Sequence, residues 1–436
     1  MVLSDADAAK RPQAELRSAR SSRATIARAD LAPAAPLRHG PRRLMKFRLV
    51  SALAFSASLA FAAEPPVLPG VGAAMQAMID QREIAGAVTV VVTRDRILHL
   101  ESTGLADVAS GRPMTPDTLF NIMSMTKPVT AVALVMLQDE GKLNLADPVA
   151  KYIPEFAALK TPSGAPANVT LAQLMTHTSG LGEAAGPAAA QARTLADLVP
   201  LWLAAPMQFE PGAKWKYTQS GINCGARVVE IVSGLTFPEF LTSRLFGSLG
   251  LKNTTHTPTG AQLARVATPY AKNKETGALE PGRVAPPAPG ERPPTGNAGL
   301  YASATDYAKF CQMLLNGGAH SGRRYLSTTA LNLLTQPQTG ELPTGFFQNE
   351  ANGNRGANYG WGIGTCIVKA PHPGVAAPLS PGTYGHGGAW GTQAWIDPVK
   401  GVAYIMMVQR SNFPNSDGSA VRAAFQDAAA KALATP

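Results

Sequence analysis

The chain has 436 residues, of which 45% are hydrophobic and 16% charged. That balance excludes a disordered or fibrous protein and leaves room for two domains, or for one domain with a large insertion. The formal net charge of +10 suggests nucleic acid, but seven of those charges fall in residues 1–63, which hold 11 Lys/Arg and 4 Asp/Glu; beyond them no basic stripe with interleaved aromatics stands out, which argues against that partner.

The basic start has its own pattern. Met45-Lys46-Phe47-Arg48 is a short positive region, Leu49 to Phe61 is apolar and small-sided, and Ala60-Phe61-Ala62 suits a signal peptidase. Residues 45–63 therefore read as a secretory signal, too short for a spanning helix. Translation is then expected from Met45, with residues 1–44 a non-native or disordered leader. Residues 64–436 form the mature domain, periplasmic or secreted and without a stable membrane span. Its three cysteines, Cys224, Cys311 and Cys366, are far apart and show no metal spacing. They read as buried free thiols, so neither a bound metal nor a disulfide framework is expected.

Val71 to Arg82 has the period of an amphipathic helix. Ala87 to Val92 is a mostly β-branched run, and Asp95-Arg96 turns it into a partner strand, Ile97 to Thr103. Leu119-Phe120-Asn121 leads to Ser124, after which Ala131 to Leu137 is an uninterrupted apolar helix ending at Gly141. Asp147-Pro148 opens a short helix through Tyr152. Within an inserted helical region at about 142–298, helical pieces alternate with Pro/Gly-rich loops from about Thr161 to Thr295: Leu171 to His177, Leu195 to Leu203, Gln219 to Ser233 and Phe237 to Leu245. Pro281 to Pro294 is a Pro-rich surface loop. Helical periodicity returns at Thr305 to Leu315 and Ser327 to Leu334. Strands then follow at Gly362 to Val368, Thr383 to His386, Gln393 to Asp397 and Val402 to Gln409, before a closing helix, Ala420 to Leu433. The expected architecture is α/β in the α+β sense. An antiparallel sheet is built from N- and C-terminal strands and flanked by helices, with a mainly helical region inserted.

Three stretches carry chemistry. Ser124-x-x-Lys127 puts a hydroxyl and an amine on one face at a helix start, where free N–H groups and the helix dipole favour negative charge. An amine beside a hydroxyl in that position activates a nucleophile. Tyr217 sits at a loop–helix junction, from which a phenol whose pKa is lowered by a nearby cation could accept a serine proton. Tyr384 to Thr392 has four glycines in nine residues. They let backbone approach a substrate and supply an oxyanion donor.

The order Ser-x-x-Lys, Tyr217-Thr218-Gln219, then His386-Gly387-Gly388 resembles the serine β-lactamase/penicillin-binding-protein superfamily. It is most similar to the branch of class C β-lactamases, family VIII carboxylesterases and D-aminopeptidases. Leu174-Met175-Thr176-His177-Thr178-Ser179-Gly180-Leu181 carries the same likeness, as do Phe209-x-Pro211-Gly212-x-x-Trp215-x-Tyr217, Asp147-Pro148-Val149-x-x-Tyr152-x-Pro154 and Gly299-Leu300-x-Ala302-Ser303-x-x-Asp306. The resemblance implies that Ser124 attacks a carbonyl while Lys127 and Tyr217 share the base role. It implies that the N–H groups of Ser124 and Ala389 hold the oxyanion, and that Gln219, His386, Gly387 and Gly388 bind substrate. No cofactor is implied. Two departures stand out: Gln219 replaces an Asn, and His386 replaces a Lys whose charge would hold a substrate carboxylate. Both point to small uncharged esters or amides, hence to a carboxylesterase. The alternatives are a β-lactamase or D-amino-acid peptidase, or a penicillin-recognising module that acylates without turnover. His177 reads as a structural histidine, since no Gly-x-Ser-x-Gly elbow exists to pair with it.

Overall fold

The computed structural model describes residues 64–282, 285–344, 358–371 and 377–435. The signal and leader assigned to residues 1–63 lie outside them. Helix α1 (Val71–Asp80) precedes β1 (Gly86–Val92), β2 (Ile97–Asp107) and the short β3 (Arg112–Pro113). Helix α2 (Thr126–Asp139) and, after loops and short helices, α3 (Ser220–Ser233) and α4 (Ala304–Leu315) follow. The end of the chain supplies β4 (Tyr359–Trp361), β5 (Cys366–Val368), β6 (Tyr384–Gly387), β7 (Gln393–Asp397), β8 (Val402–Met407) and helix α5 (Ala420–Ala434). One antiparallel sheet of eight strands runs β4-β5-β6-β7-β8-β1-β2-β3. Its two halves are joined where Val90 pairs with Ile405.

Every residue of β1 is buried, because both faces of the sheet are covered. Ala87 and Val91 pack with α1 and α5 residues such as Met75 and Phe425. Val88, Val90 and Val92 enter the larger core with α2 and α4. That explains a continuous β-branched run rather than an alternating one. Helix α2 is buried from Thr126 to Leu137, as expected of a helix apolar on all sides. The three cysteines are buried free thiols. No helix among the described residues is long and apolar enough to cross a membrane.

Three local expectations need correction. Gly362 to Val368 is not one strand: β4 and β5 flank a turn at 362–365. Gly364 adopts φ 67° there, and a Cβ on it would stand 2.7 Å from the Ala131 side chain. The turn thus lies directly on α2. Phe237 to Leu245 is α-helical only to Leu241 and then widens into a π-turn, Thr242–Phe246. Ser124 itself belongs to a single 3-10 turn, Met123–Met125, just ahead of α2.

Candidate active site

Asn121 sets the approach to Ser124. Its Oδ1 accepts the Met123 N–H at 2.9 Å, folding the chain so that Met123 takes φ 47°. A side-chain-bearing residue in that left-handed region costs on the order of 1 kcal/mol. The strain lies immediately before the serine that the 3-10 turn presents. Neither the Ser124 N–H nor the Ala389 N–H has a protein acceptor among the described residues.

Lys127, one turn further on, is fully buried. Its Nζ lies 3.0 Å from Ser124 Oγ, 2.9 Å from Gln219 Oε1 and 3.0 Å from the Asn297 carbonyl oxygen. Burial pushes its pKa well below the ordinary value, against an opposing pull from the Glu183 carboxylate. A neutral amine has two N–H donors and one lone pair. The amide oxygens of Gln219 and Asn297 can only accept, so they take both donors. The lone pair is left for the Ser124 hydroxyl proton.

Tyr217 Oη donates to Ser124 Oγ at 2.9 Å. Its half-buried ring lies 4.5 Å, centroid to centroid, from His177 and 4.6 Å from Lys127 Nζ. Burial pushes the phenol pKa well above its ordinary value, which the Ser124 hydrogen bond only partly offsets. The expected fall in that pKa is therefore overturned: desolvation of the phenol itself, with the surrounding acidic groups, outweighs what lowers it. His177 is buried with φ 61°. Its Nδ1 accepts the Thr218 N–H at 3.3 Å, and its ring stacks edge-on against Trp361 at 5.0 Å. It holds the tyrosine loop in place, and burial keeps its pKa well below normal.

Gln219 turns its amide oxygen inward, to Lys127 and to Asn297 Nδ2 at 2.8 Å. Asn297 is tied in turn to α3, its N–H donating to Asn223 Oδ1 at 3.1 Å. Glu183 was not foreseen. Its carboxylate accepts the Gln219 and Ser220 N–H groups at 2.5 and 2.9 Å and the Ser220 hydroxyl at 2.7 Å. It caps α3, which has no capping side chain of its own. Asn297 escaped notice although it lies two residues before the Gly299-Leu300 block, and nothing in its local sequence marks Glu183.

On the opposite wall His386 is buried, and that desolvation takes its pKa down to about 3. It is a neutral imidazole at physiological pH. Strand β6 outruns its neighbour, because β5 pairs no further than Gly385. A Cβ on Gly388 would stand 2.1 Å from Thr392 Oγ1 and 2.5 Å from the Ile122 carbonyl oxygen, so only glycine fits there. Ser124, Tyr217, Gly387 and Ala389 line a cavity of about 270 Å³, which Phe413 and Asp417 close. Met123 and Trp390, the sequence neighbours of Ser124 and Ala389, border a second cavity of about 440 Å³. Pro287, Pro289 and Pro293 of the Pro-rich loop wall that one.

An antiparallel sheet flanked by helices, with this serine, lysine and tyrosine at one focus, defines a penicillin-recognising type of serine hydrolase. The chain belongs to the Beta-lactamase family, whose model matches residues 71–429. It is 29% identical over 374 residues to esterase EstB of Burkholderia gladioli, covering 77% of this chain and 89% of that one. It is 30% identical over 319 residues to penicillin-binding protein 4 of Amycolatopsis lactamdurans, covering 73% and 78%. Among solved structures it superposes on EstCE1, a hydrolase with promiscuous acyltransferase activity, with TM-score 0.69 at 23% identity over 83% of this chain and 97% of that one.

Proposed function

We propose that this serine hydrolase is an exported carboxylesterase that cleaves small esters through an acyl-serine intermediate. The observation that carries the mechanism is the saturation of Lys127: both N–H donors of its neutral form are occupied, and its lone pair faces Ser124 Oγ. Ser124 Oγ bonds to the ester carbon as its proton passes to Lys127 Nζ. The carbonyl π electrons move to oxygen, where the Ser124 and Ala389 N–H groups receive the charge. The new ammonium is held by Gln219 Oε1, the Asn297 carbonyl oxygen and the field of Glu183. On collapse the C–O bond to the alcohol breaks, and the alkoxide takes the proton from Lys127 through the neutral Tyr217 hydroxyl. Water repeats the sequence on the acyl-enzyme.

Ester rather than β-lactam preference rests on the neutral His386, which offers no fixed charge to a substrate carboxylate. The likeness to EstB agrees with it. The test compares p-nitrophenyl butyrate, nitrocefin and a D-Ala amide on wild type and Ser124→Ala. Fast nitrocefin turnover without ester cleavage would move the assignment to a β-lactamase. A stable adduct on Ser124 by intact mass, with no steady-state rate, would make the protein a penicillin-binding module. Export rests on residues 45–63, and N-terminal sequencing of the secreted protein tests it; a mature start well before Ala60 would count against it.

A further inference from the structure

Asp417 is 7% exposed and lines the same cavity as Ser124, Tyr217, Gly387 and Ala389. One of its carboxylate oxygens is fixed: Gln393 Nε2 donates to Oδ1 at 3.0 Å, and Trp395 Nε1 locks Gln393 by donating to its Oε1 at 2.8 Å. Its backbone is fixed as well. The Asp417 N–H donates to Asn415 Oδ1 at 3.1 Å, and Arg422 Nη1 donates to the Asp417 carbonyl at 2.9 Å. That arginine is buried behind it, stacked over Trp395 at 4.2 Å and bonded through Nε to Gln426 at 3.2 Å. Among the described residues no Lys, Arg or His nitrogen lies within 4 Å of the Asp417 carboxylate, and Oδ2 has no donor.

Gly387 makes the space: a Cβ there would stand 1.7 Å from Asp417 Oδ1. A carboxylate therefore occupies the volume that a side chain on the His386-Gly387-Gly388 strand would fill. Burial raises the Asp417 pKa, which the charge of Arg422 and the Gln393 hydrogen bond partly offset; Oδ2 is not sealed from solvent, and a cation reaching it from the cavity would favour the ionised carboxylate. Phe413, Pro414, Asn415 and Ser416, the rest of that wall, contribute no cation.

We propose that Asp417 is a specificity-determining residue that receives a substrate ammonium group, so that the preferred ester or amide carries a primary amine on the part lodged beside Gly387. The inference rests on the hydrolase reading above and refines its substrate. His386 denies the cavity a positive charge for a substrate carboxylate, and Asp417 supplies a negative one for the opposite kind of group.

Two isosteric ester pairs test it, each exchanging NH3+ for CH3. One pair is methyl 3-aminopropanoate and methyl butyrate, with the amine on the acyl side. The other is 3-aminopropyl butyrate and butyl butyrate, with the amine on the alcohol side. In wild type the ammonium member of at least one pair should have the higher kcat/KM by about tenfold, the worth of one charge-assisted hydrogen bond. Asp417→Asn should lower that within-pair ratio by about tenfold. Preference for the neutral member in both pairs, or a ratio unchanged in the variant, overturns the proposal. If the variant does not fold, inhibition of wild-type butyrate hydrolysis decides. Propylammonium must then compete better than propanol and propionate, and equal or reversed potency overturns it. Hydrolysis of the neutral esters without ammonium preference sinks this inference alone, whereas loss of all Ser124-dependent hydrolysis sinks the underlying reading with it.

Discussion

Replacing Lys127 with methionine separates the two consequences of burying an amine. Burial holds the Lys127 pKa well below 10.5. Between that lowered value and 10.5 the unfolded chain binds a proton that the folded chain does not. Stability must therefore rise with pH through the window, by about 1.4 kcal/mol per pH unit from this residue alone, and the whole contribution is lost as pH falls to the folded value. Methionine fills a similar volume and cannot titrate. It also leaves the Gln219 and Asn297 oxygens short of a donor, a cost of about 1–3 kcal/mol that does not vary with pH. Urea unfolding of both proteins at several pH values from about 7.5 to 9.5 should give a wild-type-minus-variant difference that climbs with pH. The variant's kcat/KM should fall by about 10²- to 10⁴-fold. A stability difference flat in pH would mean that the folded protein keeps an ammonium, which could not accept the serine proton, and the mechanism would fail.

Three further substitutions probe the supporting structure. Tyr217→Phe keeps the ring against His177 but removes the hydroxyl on Ser124 Oγ; kcat should drop by about 10²-fold or more, while the melting temperature stays near wild type. Glu183→Ala uncaps α3, and denaturant unfolding should show a loss of about 1–2 kcal/mol together with a lower kcat, since the cap also fixes Gln219. Gly387→Ala places a methyl group on Asp417 Oδ1 and the Gln393 amide, so steady-state assays should show reduced kcat/KM even for esters that Ser124 otherwise accepts.

Much of this was legible in the chain because the relevant signals are local. The β-branched run at 87–92 and the apolar helix after Pro128 announce themselves by period and composition, and the motif stretches around Ser124, Tyr217 and His386 are short and contiguous. What could not be read depends on convergence. Asn297 accepts from Lys127 across 170 residues, and Asp417 meets Gly387 only because the loop before α5 folds back on β6. The direction of the Tyr217 shift was misjudged for a related reason. A cation beside a phenol lowers its pKa only if that gain exceeds the phenol's own desolvation, and burial is a property of the assembled core. Strand β4 was missed because the glycines at 360, 362 and 364 hide its boundary with the hairpin turn.

The central strand pairs residues separated by more than three hundred positions, with Val88 opposite Met407 and Val92 opposite Ala403. A ribosome that has made the first half of this polypeptide has therefore made a β1–β2 hairpin whose other edge still lacks its partner. Closure of so long a loop comes late and slowly. A nascent chain of this design cannot close its sheet until its last seventh has emerged, and truncation near its carboxyl end would strip β1 of one of its two partners.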